Sequence, residues 1–247
     1  MARRRFFVEE IRQGRAELRG EAAEHLRRVL RAERGQRYEI SDNRAVYLAE
    51  IVAFGPARVE LRVLERLEDQ PLPVRLHLLV ALIKFDRFEW MLEKATELGV
   101  ESVIPIETVR SQKGLRLAAP KRLERWRRIV LESSQQARRQ RPPEVEWPQS
   151  LREALAWSGP YRYVLDEAKN LPPLLAALPP PNRRLPADSV ALLVGPEGGW
   201  TETEREAARK ADWVAVSLGP LIMRTETAAI AALAVLANAW AAAERLQ

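Results

Sequence analysis

The feature that most constrains this chain is a strand–glycine turn–helix pattern that occurs twice toward its C-terminal end. Val190 to Val194 is a short apolar run of strand type that leads directly into Gly195-Pro196-Glu197-Gly198-Gly199. Bare backbone in such a turn can approach a ligand closely, and Gly198 is expected to keep that space open. Thr201 and Glu204 stand at capping-box spacing, so a helix begins there with its free N–H groups beside the turn. A second strand, Trp213 to Leu218, ends at Gly219, and an alanine-rich helix from about Thr227 to Glu244 follows. Strand, glycine turn and helix N-terminus build small-molecule sites at the carboxyl end of a parallel sheet. One such loop is equally a tight turn with no ligand. Two of them, a strand and a helix apart, can wrap one ligand between them.

Absent motifs narrow the ligand. There is no G-x-x-x-x-G-K-[ST] and no G-x-G-x-x-G, hence no phosphate cradle or dinucleotide fingerprint. Glu197 inside the turn repels phosphate and suits a cationic or hydrogen-bond-donating ligand.

Upstream, the segment from Val74 alternates strands and helices, the signature of a parallel sheet. Strands are expected at Val74–Ile83, Val100–Ile106 and Tyr161–Leu165, and helices at Phe88–Leu98, Pro120–Arg139 and Leu151–Trp157. Pro172 to Pro186 is a proline-heavy excursion around a short helical turn at Leu174–Leu178. Residues 1–70 differ in rhythm: short β-type runs at Arg5–Val8, Arg15–Arg19, Arg37–Ser41, Ala45–Val52 and Arg58–Leu64, with one helix at Glu21–Ala32. This reads as a small barrel or sandwich joined by the linker Asp69–Pro73, which proline stiffens. The expected fold is therefore α/β, with a β domain over 1–70 and a parallel-sheet domain over 74–247.

Composition excludes several classes. With no cysteine there is no disulfide scaffold and no thiolate metal site, which fits a cytoplasmic location. The two histidines, His25 and His77, are far apart, so no metal is expected. The start, Met1 to Phe6, lacks the apolar core of a signal peptide, and no segment is expected to have the run of apolar residues needed to span a membrane. The net charge of +6 favours an anionic partner. That charge is concentrated: Arg110 to Arg141 holds eleven Lys/Arg against two acids, whereas the first seventy residues hold fifteen against thirteen. Such a run suits a phosphate backbone, although alone it is equally a solvated helix face. Arg3-Arg4-Arg5 forms a second basic cluster, or else a charged terminus.

Gly195-Pro196-Glu197-Gly198-Gly199 followed by Leu218-Gly219, Ile222, Arg224 and Glu226-Thr227-Ala228 resembles the RsmE family, the 16S ribosomal RNA uracil-N3 methyltransferases of the SPOUT (trefoil-knot) class. The resemblance covers nearly the whole chain. It includes Arg5-Phe6-Phe7, His25, Val29-Leu30-Arg31 and Gly35, then Lys84, Asp86-Arg87, Glu89-Trp90 and Glu93 to Gly99, and finally Arg110-Ser111, Gln136 and Arg139. One position departs: the family usually reads L-G-x-R-I-L-R, and Leu221 stands at the first arginine, leaving Arg224. The resemblance implies S-adenosylmethionine as cofactor, a knotted C-terminal domain, a PUA-like N-terminal barrel and a homodimer whose substrate site draws on both chains. The implied cofactor contacts are Leu165, then Val194, Gly195, Glu197, Gly198 and Gly199 at the first glycine loop, and Leu218, Gly219, Ile222, Met223 and Thr227 around the second.

For chemistry, uracil N3–H is a weak acid, so its proton must be removed or the anion stabilised. Arg224 is the candidate for stabilising the developing charge or for binding the adjacent phosphate, and Glu226 for accepting the proton, unless it serves only to cap the last helix. The target base must be unpaired or flipped out. Lys84 and Arg87 follow a buried strand and so sit at its carboxyl end. With Arg3, Arg5, Arg110, Lys113, Arg138 and Arg139 they are the candidate contacts to 16S rRNA or the small ribosomal subunit. Two other readings stay open: an RNA-binding module without activity, and an unrelated nucleotide-binding α/β enzyme.

Overall fold

The computed structural model describes residues 4–68 and 71–244. The chain forms two compact units: Met1–Pro71 with Leu131–Pro142, and Leu72–Val130 with Pro143–Gln247. A β unit ending near residue 70 was expected; its second, distant piece was not.

In the first unit, β1 (Arg5–Phe7), β2 (Ile11–Arg12) and β3 (Arg15–Arg19) precede a short helix, α1 (Gly20–Glu24), which runs on as a π-helical turn at His25–Val29. The long strands β4 (Arg37–Ser41), β5 (Val46–Phe54) and β6 (Arg58–Arg66) follow. The six strands form one sheet in the order β1-β4-β5-β6-β3-β2, parallel only between β1 and β4. Turn chemistry sets the hairpins. Gln13 and Gly14 both take positive φ between β2 and β3, and Asn43 does so between β4 and β5. Strand alternation sends Ala16 and Leu18 of β3 inward with Phe6, Leu26, Ile40, Ile51 and Leu61. Glu39 on β4 is buried and is held by Arg5, at 2.9 Å, and by Arg138. Ser41 donates to the Gln140 carbonyl at 2.5 Å. These bonds explain why Leu131–Pro142 belongs to this unit.

The second unit begins with β7 (Arg75–Ala81), α2 (Phe85–Glu97) and β8 (Val100–Glu107). Next come α3 (Leu115–Ala118), a 3-10 turn at Ala119–Arg122 and α4 (Leu123–Gln136), which is divided between the units after Val130. The single helix expected from Pro120 therefore starts later, because Pro120 lies in the tighter turn. Then follow β9 (Glu144–Val145), β10 (Gln149–Ser150), α5 (Leu151–Leu155), β11 (Tyr161–Leu165) and α6 (Leu174–Ala177). The last elements are β12 (Ser189–Val194), α7 (Glu202–Lys210), β13 (Val214–Val216) and α8 (Thr225–Glu244). The sheet is wholly parallel, in the order β10-β8-β7-β12-β11-β13, with β9 also on β8.

Parallel strands are covered on both faces, which is why β7 and β12 read as nearly unbroken apolar runs. Leu76, Leu78 and Val80 of β7 with Val190, Leu192 and Val194 of β12 face a core shared with α2, α4 and α8. Leu79, Ala81, Ala191 and Leu193 face the opposite side, toward Leu155, Ala208 and Trp213. Trp126 of α4 is fully buried, 4.5 Å from the Phe88 ring.

One sequence expectation is corrected here. Thr225–Ala243 of α8 is long and apolar enough, by length and composition alone, to cross a membrane. Its many alanines are individually unobtrusive, yet together they make the whole helix apolar. In the fold, Ala229, Ala232, Leu233, Leu236 and Trp240 place this helix in the core of the second unit.

Candidate active site

Three loops leave the carboxyl ends of β11, β12 and β13 side by side, where open α/β sheets place their sites. After β11 come Asp166 and Glu167. The Asp166 side chain is buried and takes two hydrogen bonds from Arg205 of α7, at 2.7 and 3.0 Å. After β12, the Gly199 N–H donates to the Pro196 carbonyl at 2.9 Å and closes the glycine turn. Gly199 sits at φ +68°, and a Cβ there would meet Glu167 Oε1 at 2.6 Å. A Cβ on Gly195 would fall 2.8 Å from the Trp200 indole, so glycine lets Trp200 fold back beneath the turn. Trp200 Nε1 then donates to the Leu165 carbonyl at 2.8 Å, binding the end of β11 to the β12 loop.

Thr201 and Glu204 form the expected capping box of α7, with Glu204 also accepting from the Val109 N–H at 2.8 Å. After β13, Ser217 Oγ accepts from Gly219 N at 3.0 Å, and Gly219 takes φ +122°. Thr225 Oγ1, in the first turn of α8, donates to the Gly195 carbonyl at 2.9 Å. The third loop is thereby pinned onto the glycine turn.

The loops enclose a cleft. Of the residues singled out as cofactor contacts, Leu165, Val194, Gly195 and Gly199 line it from the first two loops, and Leu218, Gly219, Ile222 and Met223 from the third. Trp200 lines it as well, and so do Pro196, Ser217 and Thr225, which were not singled out; Asp166 and Glu167 were legible only as the residues that directly follow a buried strand. Its charged lining is acidic, from Glu167 and from Asp166, which Arg205 pairs, and among the described residues no basic side chain contributes. Such a lining favours a cation or a hydrogen-bond donor over phosphate.

Glu197, Gly198 and Thr227 lie outside that lining. Gly198 does not hold ligand space as expected: a Cβ there would meet Arg110 Cβ at 3.2 Å, and the strained backbone is at Gly199 instead. Glu197 pairs with Arg87. Leu221, at the position where an arginine was expected, is 78% exposed on the cleft rim.

A larger cavity, about 660 Å³, lies beside the cleft between α5, α7 and the sheet. Several of its polar groups are spoken for: Trp213 Nε1 donates to the Leu155 carbonyl, Asp166 pairs with Arg205, and Glu204 caps α7. The glycine loops instead converge on the cleft.

Arg224 is exposed at the start of α8 and forms no ion pair among the described residues. Glu226 is 5% exposed; its Oε1 lies 3.9 Å from Arg87 Nε, and its Oε2 has no hydrogen-bond partner among the described residues. The basic candidates divide in character. Lys84 and Lys113 are exposed, and Arg110 donates to the Gly198 carbonyl at 2.7 Å. In the first unit, Arg5 and Arg138 are engaged by Glu39, and Arg139 is buried with its Nε on the Arg141 carbonyl. Arg3 lies outside the described residues. Among the described residues no group of three or more His, Asp or Glu side chains comes together to hold a metal ion.

A sequence profile described as an RNA methyltransferase domain matches residues 70–237. The ribosomal RNA small subunit methyltransferase E of Bacillus subtilis is 32% identical over 94% of this chain and 95% of its own length. The enzyme of the same name from Synechocystis is 36% identical over 85% of this chain and 68% of its own length. The chain belongs to the ribosomal RNA small subunit methyltransferase E family. Solved structures agree with the family assignment. The methyltransferase E of Neisseria gonorrhoeae, bound to S-adenosyl methionine, superposes with a TM-score of 0.84 at 30% identity, covering 95% of this chain and 96% of that one. A methyltransferase of Legionella pneumophila in complex with the same cofactor gives 0.82 at 29% identity, covering 96% and 97%.

Proposed function

We propose that this member of the methyltransferase E family methylates N3 of a uridine in 16S rRNA of the small ribosomal subunit, with S-adenosylmethionine held in the three-loop cleft. The observation that carries this reading is the cleft itself: two glycine loops joined by the Thr225–Gly195 bond, with acidic and apolar lining. The cofactor's sulfonium and ammonium charges suit Asp166 and Glu167, and its apolar parts suit Leu165, Leu218, Ile222 and Met223. At Gly219 nothing lies within 4 Å of where a Cβ would stand, so the backbone there leaves room for close approach.

When bound, the cofactor supplies an electrophilic methyl group. The chain must hold the base in line, exclude water and handle one proton. Glu226, with an unpartnered carboxylate oxygen, is the acceptor for the N3 proton. Arg224, exposed at the head of α8, supports the negative charge that develops on the pyrimidine oxygens. Lys84, Arg110 and Lys113 provide phosphate contacts from the cleft's own unit. We read that unit as a trefoil-knotted SPOUT domain and the first as a PUA-like RNA-positioning barrel, in a cytoplasmic homodimer.

Methyl transfer with labelled cofactor to unmethylated small-subunit rRNA, followed by mass mapping, tests the reading. The expected product carries one added methyl on N3 of a single uridine. Arg224→Ala should lower kcat by about a hundredfold, the scale of losing one transition-state charge donor, with cofactor affinity unchanged. Cofactor binding without transfer to any rRNA would point instead to an RNA-binding protein on the same fold.

A further inference from the structure

Arg87 sits between two carboxylates that belong to different loops. On one side its Nη1 pairs with Glu197 in the glycine turn; on the other its Nε lies 3.9 Å from Oε1 of Glu226 in the first turn of α8. We propose that Arg87 is a positioning residue that ties the glycine turn to the head of α8 and so fixes the shape of the cofactor cleft. The proposal rests on the reading of that cleft given above.

The charges around Glu226 support this assignment. A buried carboxylate needs a counter-charge or a full set of hydrogen bonds, and Glu226 is 5% exposed with one oxygen unpartnered. The elements packed on α8 offer few cations. β12 and α6 carry no ionisable residue, and β7 carries only Arg75 and His77, at its far end. Arg184 meets the opposite end of α8, donating to the Ala239 carbonyl at 2.8 Å. On α2, Lys94 is taken by Glu93 and Glu97, at 2.7 and 3.0 Å, and Glu89 is taken by Arg125 at 2.8 Å. Lys84 and Asp86 are exposed, as is Arg224 on the loop leading into α8. Among the described residues Arg87 is the cation paired with Glu226. A planar guanidinium can serve two carboxylates at once, which a point-charge ammonium does poorly. The ion pairs also run parallel to the neutral Thr225–Gly195 bond, so the same two segments are joined twice. With both of these edges turned to carboxylates, Arg87 is a poor ligand for RNA phosphate.

Calorimetry with S-adenosylmethionine, amide hydrogen exchange over residues 195–199 and affinity for small-subunit rRNA test the proposal together. Arg87→Gln should weaken cofactor binding about tenfold and speed exchange in the turn, with rRNA affinity changed less than about twofold. Arg87→Lys should recover part of the loss, since one carboxylate can still be served. Unchanged cofactor affinity and exchange, or a loss confined to rRNA affinity, would overturn it; so would a lysine variant no better than the glutamine one. If the wild-type chain binds no S-adenosylmethionine, the functional reading fails, and the exchange comparison still decides the tether. Should Arg87→Gln not fold, Glu197→Ala cuts the same tie from its half-exposed end and is expected to act in the same direction.

Discussion

Two adjacent glycines in the turn after β12 have different reasons to be there. Gly199 holds φ +68° and would press a Cβ against Glu167, whereas Gly198 backs onto the flexible stem of Arg110. Gly199→Ala should therefore cost roughly 1–2 kcal/mol of stability from backbone strain and should also weaken cofactor binding. Gly198→Ala needs only a small shift of Arg110 and should cost less in both assays. Thermal melts and calorimetry on the pair check the difference; equal effects would mean that the turn's strain is not at Gly199. Both glycines were legible in the sequence as a turn, but which one carries the unusual backbone was not, because neighbouring glycines are chemically identical until the chain is folded. The same limit applies to Arg87: nothing local links it to Glu197 and Glu226, so a basic residue after a buried strand read as a phosphate contact.

At the scale of elements, β11 is the strand whose loop supplies Asp166 and Glu167 to the cleft, and it carries a pH-sensitive group. Burial, with Tyr161 nearby, pushes the Tyr163 hydroxyl up to about 12, and that hydroxyl donates to the Ala177 carbonyl at 3.4 Å. A raised folded-state value favours the neutral phenol, so this contribution is complete below about pH 10 and is lost as pH climbs toward 12. Keeping the phenol neutral that far above its ordinary range is worth roughly 3 kcal/mol. Denaturant unfolding at pH 8 and pH 11 should show the loss, and Tyr163→Phe should flatten it. The main strands were legible because their patterns are strong: Arg15–Arg19, Arg37–Ser41 and Tyr161–Leu165 are strands over those very residues. The two-residue strands β2, β9 and β10 were not, since two residues carry no period and form only because a longer strand lies alongside. The π-helical turn at His25–Val29 was hidden in the same way inside an ordinary helical stripe.

For the whole molecule, the sequence suggested two consecutive domains, whereas Leu131–Pro142 belongs with the first unit. A continuous helix pattern hides such a division, because periodicity records which face is apolar and not what that face meets. The proposed homodimer is tested on α8, where Ala234 is only partly buried within one chain. Ala234→Glu should cost several kcal/mol if a partner covers that position, giving monomers that bind cofactor and leave rRNA unmethylated. A wild-type chain that sediments as a monomer while methylating rRNA would remove the dimer from the mechanism. The order of elements bears on biosynthesis too. β7, early in its unit, lies at the centre of the sheet, yet one of its neighbours is β12, and one helix covering it is α8, the last described element. Local contacts cannot complete this core, so the nascent chain must keep β7 and α2 from aggregating until α8 has emerged. A ribosome that stalls after β13 would release a second unit with its described strands but without α8, its core open and its cleft unfinished; methyl transfer thus waits until translation has passed α8.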